Sequence, residues 1–357
     1  MLFVASTSLL VAVEKISLQE LGQALFFDVN LSKHRNQSCA TCHAPDIAFT
    51  DPKGNKVSIG SDNISKGTRN TPSISYAALL PAFHRNENGE AIGGFFYDGR
   101  ASNSSEQIIS TLTNPSEMAM SSIKEVISRA NENIFFSQYI AQNFGSVDSS
   151  NTEKLITVLL DALNEFQNGS QFVKFDSKYD RFLTGQHELT DLEETGRNLF
   201  FSDVTNCMQC HYLNTHTSDE KQLFSDHKYH NIGVPKSTDV TKPDFGLADN
   251  MKANRTDAMG RFRTPSLRNI AVTGPYMHNG TFKKLGTAIH FYNQHIVDRP
   301  SAKLNPETNK PYAKPEIGKN LAVTLLQKGQ PLSEKKILAL IAFLRTLTDR
   351  QYEYLLQ

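Results

Sequence analysis

The pentapeptide Cys39-Ala40-Thr41-Cys42-His43 recurs as Cys207-Met208-Gln209-Cys210-His211. Two thiols two residues apart can each add to one vinyl group of the same porphyrin, and the adjoining histidine then reaches the iron from one face. Cys-x-x-Cys-His is the spacing of a c-type haem attachment site. The two motifs use all 4 cysteines of the chain, so none remains for a structural disulfide. A zinc site or a redox dithiol is the competing reading of each pair. A zinc ribbon spaces its pairs by roughly 15–20 residues, whereas Cys39 and Cys207 stand 168 positions apart and each pair is followed at once by histidine. A thioredoxin-like dithiol has no reason to repeat that histidine. The pattern favours two covalently bound haems c, with His43 and His211 as iron ligands.

The flanking residues show what must position these motifs. Ser17-Leu18-Gln19-Glu20-Leu21-Gly22, running to Leu25-Phe26-Phe27, precedes the first. Asp191-Leu192-Glu193-Glu194-Thr195-Gly196, running to Leu199-Phe200-Phe201, precedes the second. Each opens on a capping box, a Ser or Asp cap with Glu three residues later, and continues with apolar residues at helical spacing. The chain reads as a duplicated unit of helix, short loop and haem motif. Ser122 and Glu125 cap a helix ending near Phe144-Gly145. Ser150 and Glu153 cap another, with Leu155, Ile156, Leu159, Leu160 and Leu163 on one face and Gly169 as its stop. Ser333 caps a last helix with Ile337, Leu338, Ile341, Leu344 and Leu347 inward. Residues 170–185 read as the connection between the halves. The segments 44–95 and 212–262 are rich in Gly, Asn, Asp, Pro and Lys and show little periodicity; loops that long usually carry function or wrap a cofactor. The fold expected is mainly α, with loops packed around two porphyrins.

Composition narrows the function classes. At 357 residues the chain is long enough for two domains. Its 37 basic and 37 acidic residues balance, which gives no argument for nucleic acid or for an anionic lipid surface. No apolar run approaches the length of a membrane span. Residues 1–16 are set apart as a signal or N-terminal segment. The apolar start, Met1 to Val13, lacks a basic n-region and admits either an atypical signal peptide or a first buried segment. Covalent haem attachment is completed outside the bacterial cytoplasm, so the motifs themselves point to a periplasmic protein.

Further motifs make the chain resemble the bacterial dihaem cytochrome c peroxidase and MauG family from about Leu18 to Asp349. They are Leu25-Phe26-Phe27-Asp28, Arg69-Asn70-Thr71-Pro72, Phe96-Tyr97-Asp98-Gly99-Arg100, Asn114-Pro115-Ser116-Glu117-Met118 and Tyr179-Asp180-Arg181-Phe182-Leu183. After the second pentapeptide come Phe262-Arg263-Thr264-Pro265-Ser266-Leu267-Arg268-Asn269 and Pro275-Tyr276-Met277-His278-Asn279-Gly280. The resemblance implies two cytochrome-c-like haem domains, 17–176 and 177–357, the last helix able to pack back on the first. It implies reaction with hydrogen peroxide at the haem on Cys39, Cys42 and His43, and electron transfer through the haem on Cys207, Cys210 and His211. Glu117 matches the family's distal glutamate, a carboxylate able to take a proton from one peroxide oxygen and deliver it to the other. Gln107 matches a distal glutamine that could hold the peroxide. The resemblance also implies a calcium ion between the haems, with Asn70 offering a side-chain oxygen and Thr273 and Pro275 their carbonyls, a set of hard donors that suits calcium. The reductant implied is a protein docked near the second domain, either a small cytochrome or a partner whose own side chains become oxidised.

Three departures bear on the subtype. Cytochrome c peroxidases carry methionine as the other ligand of the second haem; the matching position here is Tyr292, as in the MauG branch. A phenolate favours higher iron oxidation states where a thioether raises the potential. Met277 is the nearest competing ligand, with His278, His290 and His295 behind it. Across the first haem, the histidine of a Ser-Ile-Gly-His context is replaced in Ser58-Ile59-Gly60-Ser61, which leaves that coordination position open, with His84 the remaining candidate to fill it. Between the haems Tyr97 stands where the family usually has tryptophan, a residue this chain lacks altogether; oxidation of a tyrosine normally expels its phenolic proton and so calls for a proton acceptor. Finally, Ser110-Thr111 follows where relatives often have Gly-Pro, so the distal pocket is expected to differ in shape. The reading is a MauG-like dihaem peroxidase. Its rivals are a cytochrome c peroxidase that only detoxifies peroxide and a dihaem electron carrier with no chemistry of its own.

Overall fold

The duplicated sequence folds as a duplicated helix pair. In the computed structural model, which describes residues 15–145, 151–212, 221–240, 242–250, 252–253 and 255–356, the helix Leu18–Phe26 crosses the helix Thr152–Gln167, and the helix Asp191–Phe200 crosses Glu334–Arg345. The same residue makes both crossings close. A Cβ on Gly22 would lie 1.9 Å from the Ala162 carbonyl oxygen and 2.7 Å from Phe166 Cβ. A Cβ on Gly196 would lie 1.9 Å from the Ala339 carbonyl oxygen and 2.9 Å from Phe343 Cβ. Below each crossing sits a phenylalanine cluster. Phe26 meets Phe166 at 5.2 Å and Phe172 at 5.9 Å between ring centroids, and Phe200 meets Phe343 at 5.2 Å and Phe224 at 6.0 Å. These rings head two separate apolar cores, one per half.

The remaining elements are short. The helices Ser104–Thr113, Ile123–Ala130, Ile134–Phe144 and Lys178–Leu183 belong to the first core and to the connection, and Leu285–Phe291 packs on Glu334–Arg345. Three two-stranded antiparallel ladders are present among the described residues: His84–Arg85 with Ala91–Ile92, Tyr229–His230 with Phe262–Arg263, and Leu304–Asn305 with Lys310–Pro311. Most of 44–95 and 221–262 is turn and loop, as expected of chain that must follow a cofactor rather than its own ladder.

Local details differ from the sequence expectations for identifiable reasons. Ser17 and Glu20 form the capping box expected of them. In the second unit the cap is Thr190, paired with Glu193, and Asp191 is the first helical residue; Thr190 supplies the hydroxyl, so the box shifts by one residue. The helix capped by Ser122 stops at Ala130 and restarts at Ile134, because the Asn133 side chain accepts from Phe135 and Phe136 N–H and caps a new helix. Asn151, not Ser150, caps Thr152–Gln167, and Ser150 lies outside the described residues. That helix ends at Gln167, capped by Asn168, two residues before Gly169. In the last helix Leu338 faces solvent at 52% exposure, while Leu340 and Phe343 turn inward. The connection 170–185 contains the helix Lys178–Leu183. Residues 1–14, on which the signal-segment expectation rests, lie outside the described residues. No helix among the described residues is long and apolar enough to cross a membrane.

Polar contacts join the two halves. Arg69 bridges Asp98 at 2.7 Å and Asp244 at 2.6 Å, all three side chains nearly buried. Tyr76 hydrogen-bonds Asp349 at 2.5 Å. The last helix stays with the second core, but the final turn, Arg350–Leu356, folds back onto Pro45–Ile47, with Tyr354 Oη donating to the Asp46 carbonyl at 2.6 Å.

Candidate functional site

Both Cys-x-x-Cys-His segments form a single helical turn, Cys39–Cys42 and Met208–His211. The histidines are held in the same way. His43 Nδ1 lies 3.0 Å from the Phe49 carbonyl oxygen and His211 Nδ1 lies 3.0 Å from the Phe224 carbonyl oxygen. A carbonyl only accepts, so the proton sits on Nδ1 and Nε2 keeps its lone pair, the arrangement of a metal-ligating histidine with its outer partner. Phe49 and Phe224 reach that position through left-handed backbone, φ 56° and 55°, uncommon for a bulky residue. Sequence reasoning missed both. One stands 6 residues beyond its histidine and the other 13, so no constant spacing betrayed them. Burial pushes both imidazoles below their ordinary value, favouring the neutral form that binds metal.

The thiols do not look like a redox dithiol. Burial pushes Cys39 up to about 12 and Cys42 and Cys207 up to about 11, whereas reactive thiolates lie in electropositive surroundings that lower the value. Cys210, Asp226 and His230 bring ligand atoms within 4.8 Å of one another, but Cys210 is common to this group and to the pentapeptide, and His230 Nε2 is already paired with Asp226 at 2.9 Å.

Beside the second pentapeptide lies a cavity of about 340 Å³ lined by Cys207, Cys210 and His211, with Tyr292, Met277 and His278 also on its wall. Tyr292 comes from the end of the helix Leu285–Phe291 and is close enough to Cys207 and Cys210 to feel their charge. Burial and those two thiols push its phenol well above the ordinary value. Its hydroxyl has no hydrogen-bond partner among the described residues, whereas Tyr276 Oη donates to the Ile270 carbonyl and Tyr312 Oη meets His290 Nδ1 at 3.1 Å. His290 is thereby engaged, and neither it nor His295 lines the cavity. His278 does; it stacks on Phe262 at 3.5 Å, and burial pushes it down to about 3. Asn70 and, far from it in sequence, Thr273 and Pro275 line this same cavity, as does Tyr97.

The wall also tests whether a haem fits. Arg263 and Arg268 both line the cavity; Arg263 Nε and Arg268 Nη2 are buried without a partner, and Arg263 has no carboxylate beside it among the described residues. A buried cation with no counter-charge is costly. A group that brings its own carboxylates, as haem does in its propionates, supplies the counter-charge that Arg263 lacks; Arg268 is already paired with Asp180 at 2.6 Å.

The first site is built by the end of one helix. Ser104–Thr113 stops at Asn114, and a tight turn follows in which Glu117 and Ala119 N–H donate to the Asn114 carbonyl at 3.0 and 2.9 Å. The turn swings Glu117 back beneath the helix. Asn114 Nδ2 donates to Glu117 Oε1 at 2.9 Å, the Thr111 hydroxyl donates to the same carboxylate, and Gln107 Nε2 donates to Thr111 Oγ1 at 2.9 Å. Gln107 and Glu117 are thus joined through Thr111, which sequence reasoning had noted only as a change of pocket shape. Burial raises the Glu117 carboxyl above its ordinary value, with Arg100, Thr111 and Asn114 pulling the other way. The carboxylate is near enough to Cys42 to act on its charge. Ser61 lies against it, its N–H donating to the Glu117 carbonyl at 2.8 Å and its hydroxyl 3.2 Å from His34 Nδ1. His84 is exposed on its two-residue strand, with Nδ1 2.9 Å from the Ala82 carbonyl.

The chain is 43% identical to the methylamine utilization protein MauG of Paracoccus denitrificans (strain Pd 1222) over 353 residues, covering 96% of this chain and 91% of that one. It belongs to the di-haem cytochrome c peroxidase and MauG family. The family model described as di-haem cytochrome c peroxidase matches residues 17–188. The cytochrome c551 peroxidase of Nitrosomonas europaea is 29% identical over 346 residues, 96% of this chain and 84% of that one. The crystal structure of the diheme peroxidase BthA from Burkholderia thailandensis E264 superposes with a TM-score of 0.80 at 31% identity, covering 95% of this chain and 90% of that chain. Membership gives the chain two haem groups and a peroxidase-type oxidoreductase function, and the mainly helical fold agrees with that of these relatives.

Proposed function

We propose that the protein is a periplasmic, MauG-like peroxidase whose two haems c are covalently bound, one through Cys39 and Cys42 and the other through Cys207 and Cys210, in domains spanning 17–176 and 177–357. When bound, haem iron would supply the redox chemistry that reduces hydrogen peroxide. The chain's residues do the rest. His43 Nε2 would hold the first iron, its tautomer set by the Phe49 carbonyl. Glu117 takes the proton from one peroxide oxygen and returns it to the other, a role worth about 10²–10⁴ in rate. Gln107 orients the peroxide, and Ser61, a poor iron ligand, leaves room for it. His211 and Tyr292, which line one cavity, would hold the second iron. Among the described residues no cation lies beside the Tyr292 phenol to ionise it, and ferric iron would be that cation; Met277 is the competing ligand on the same wall. Tyr97, which lines this cavity, would be the residue between the haems. Asn70, Thr273 and Pro275 are the candidate calcium ligands. A redox partner protein, docked near the second domain, would supply the electrons.

The observation that carries this reading is the Glu117 carboxylate, half buried beside Cys42 and held by Thr111 and Asn114. Glu117→Gln is expected to slow the reaction of the ferric holoprotein with peroxide by about 10²-fold or more, followed by stopped-flow optical spectra. An unchanged rate would mean that Glu117 has no part in the reaction. The peroxidase relative from Nitrosomonas europaea keeps a second reading in view, peroxide detoxification with a cytochrome donor. Ferric protein that reacts with peroxide only after pre-reduction, and then turns over reduced cytochrome c, would favour it.

A further inference from the structure

The segment 70–76 runs from one haem site to the other. The Pro72 backbone lies close enough to the His43 ring to act on its charge, beside the Phe49 carbonyl that holds Nδ1 at 3.0 Å. Ser73 and Ser75 hydroxyls donate to the Ala48 carbonyl, next to Phe49, at 2.6 and 3.4 Å. At the other end Asn70, Pro72, Ser73, Ser75 and Tyr76 line the cavity that holds His211 and Tyr292. Tyr76 therefore lies between the two histidines, 1% exposed, at the seam of the two halves. Its surroundings are those of a phenol built to lose a proton internally. Tyr76 Oη donates to Asp349 Oδ1 at 2.5 Å and accepts from Phe175 N–H at 2.9 Å. The other Asp349 oxygen accepts from Asn269 Nδ2 at 2.8 Å, and Asp349 N–H donates to Asn269 Oδ1 at 2.8 Å, so the carboxylate cannot swing away. The Arg268 guanidinium lies 5.7 Å above the Tyr76 ring and is neutralised by Asp180 at 2.6 Å.

Tyr97 offers the opposite environment. It has no carboxylate partner among the described residues, and the charges acting on it are those of Arg263 and Arg69. A phenol that loses an electron becomes a strong acid, so a tyrosine without an acceptor is a poor place to rest an oxidising equivalent.

We propose that Tyr76 and Asp349 form a proton-coupled redox site in which the phenol stores one oxidising equivalent between the haems. The inference rests on the peroxidase reading, because the oxidant is the haem after reaction with peroxide. One electron leaves the phenol for that haem. The Tyr76 O–H bond breaks as an O–H bond forms on Asp349 Oδ1, leaving a neutral phenoxyl radical beside a neutral carboxylic acid. The return of one electron from the protein donor, with the proton moving back, restores both. Burial pushes the Asp349 carboxyl up to about 6, so at neutral pH it is mostly ionised and yet a better base than an exposed aspartate.

The test is freeze-quench EPR of the holoprotein mixed with hydrogen peroxide, with haem oxidation followed optically in the same mixture. A radical signal is expected that narrows when the protein carries ring-deuterated tyrosine. It should fall at least tenfold in Tyr76→Phe and in Asp349→Asn, and persist in Tyr97→Phe. The deuterium arm on wild-type protein and the Asp349→Asn arm keep the test decisive if Tyr76→Phe does not fold. Haem oxidation without a tyrosine signal, or a signal that survives in Tyr76→Phe or Asp349→Asn, overturns the inference while leaving the peroxidase reading intact. Failure of the haems to respond to peroxide at all overturns that reading instead.

Discussion

Thr111 Oγ1 accepts the Gln107 side-chain amide at 2.9 Å, and its hydroxyl donates to the Glu117 carboxylate. One hydroxyl thus fixes both side chains assigned to the distal pocket. Replacing Thr111 by Val keeps the shape and removes both bonds. The peroxide rate is expected to fall about tenfold, the loss of roughly one hydrogen bond to a charged group, and Thr111→Ser should recover it. The pH profile adds a signature. Glu117 must be ionised to act as base, and burial already raises its carboxyl above the usual value, so the rate falls as pH drops through that raised value. Thr111 is one of the groups holding it down; its loss moves the profile to higher pH. A Val variant with an unshifted profile would show that Thr111 does not govern Glu117.

Tyr292→Met is expected to raise the potential of one haem, by on the order of 0.1–0.3 V within the ~0.8 V that axial ligands span. Spectroelectrochemistry with near-infrared detection of a methionine signature reads the change. Potentials unaltered by this variant and by Tyr292→Phe would assign the position to Met277.

The Arg69 bridges predict a stability effect with a defined pH course. Burial pushes the Asp244 carboxyl up, but hydrogen bonds and charge from Arg69 outweigh it and hold it below the usual range. A depressed carboxylate contributes stability above its unfolded value near 3.8, lost as pH falls through the folded one. Arg69→Ala leaves buried carboxylates uncompensated and should cost about 3–5 kcal/mol at neutral pH. Without the arginine the Asp244 carboxyl is raised, so the deficit should narrow as the pH is lowered. Urea denaturation at pH 7 and pH 4.5 measures both numbers; a pH-independent deficit would rule out an electrostatic origin.

Gly22→Ala and Gly196→Ala each place a methyl group 1.9 Å from a backbone carbonyl, so the helices must separate. Overpacking of this kind costs about 1–3 kcal/mol, despite the better helix propensity of alanine. Thermal melts should show both variants destabilised, each through the core of its own half.

These glycines show how far the sequence could be read. The repeat that contains them was visible because helix, Phe-Phe pair and pentapeptide recur in order, and it placed both histidine turns. What escaped was set by contacts distant in sequence. Phe49 and Phe224 hold their histidines across loops of unequal length. Thr111 looked like a lost proline until the turn at Asn114 brought Glu117 under it. Arg263 was one letter in a motif until burial left it without a counter-charge. Asp349 seemed only the end of the family match, and its partner Tyr76 lies across the seam.

The final turn, Arg350–Leu356, covers Pro45–Ile47, two residues past His43. A chain made from its N-terminus would ordinarily finish its first half first. Here Arg350–Leu356 close the site that residues near His43 begin. The first haem site therefore stays uncovered on this side until the chain has been made as far as Arg350–Leu356, far downstream of His43.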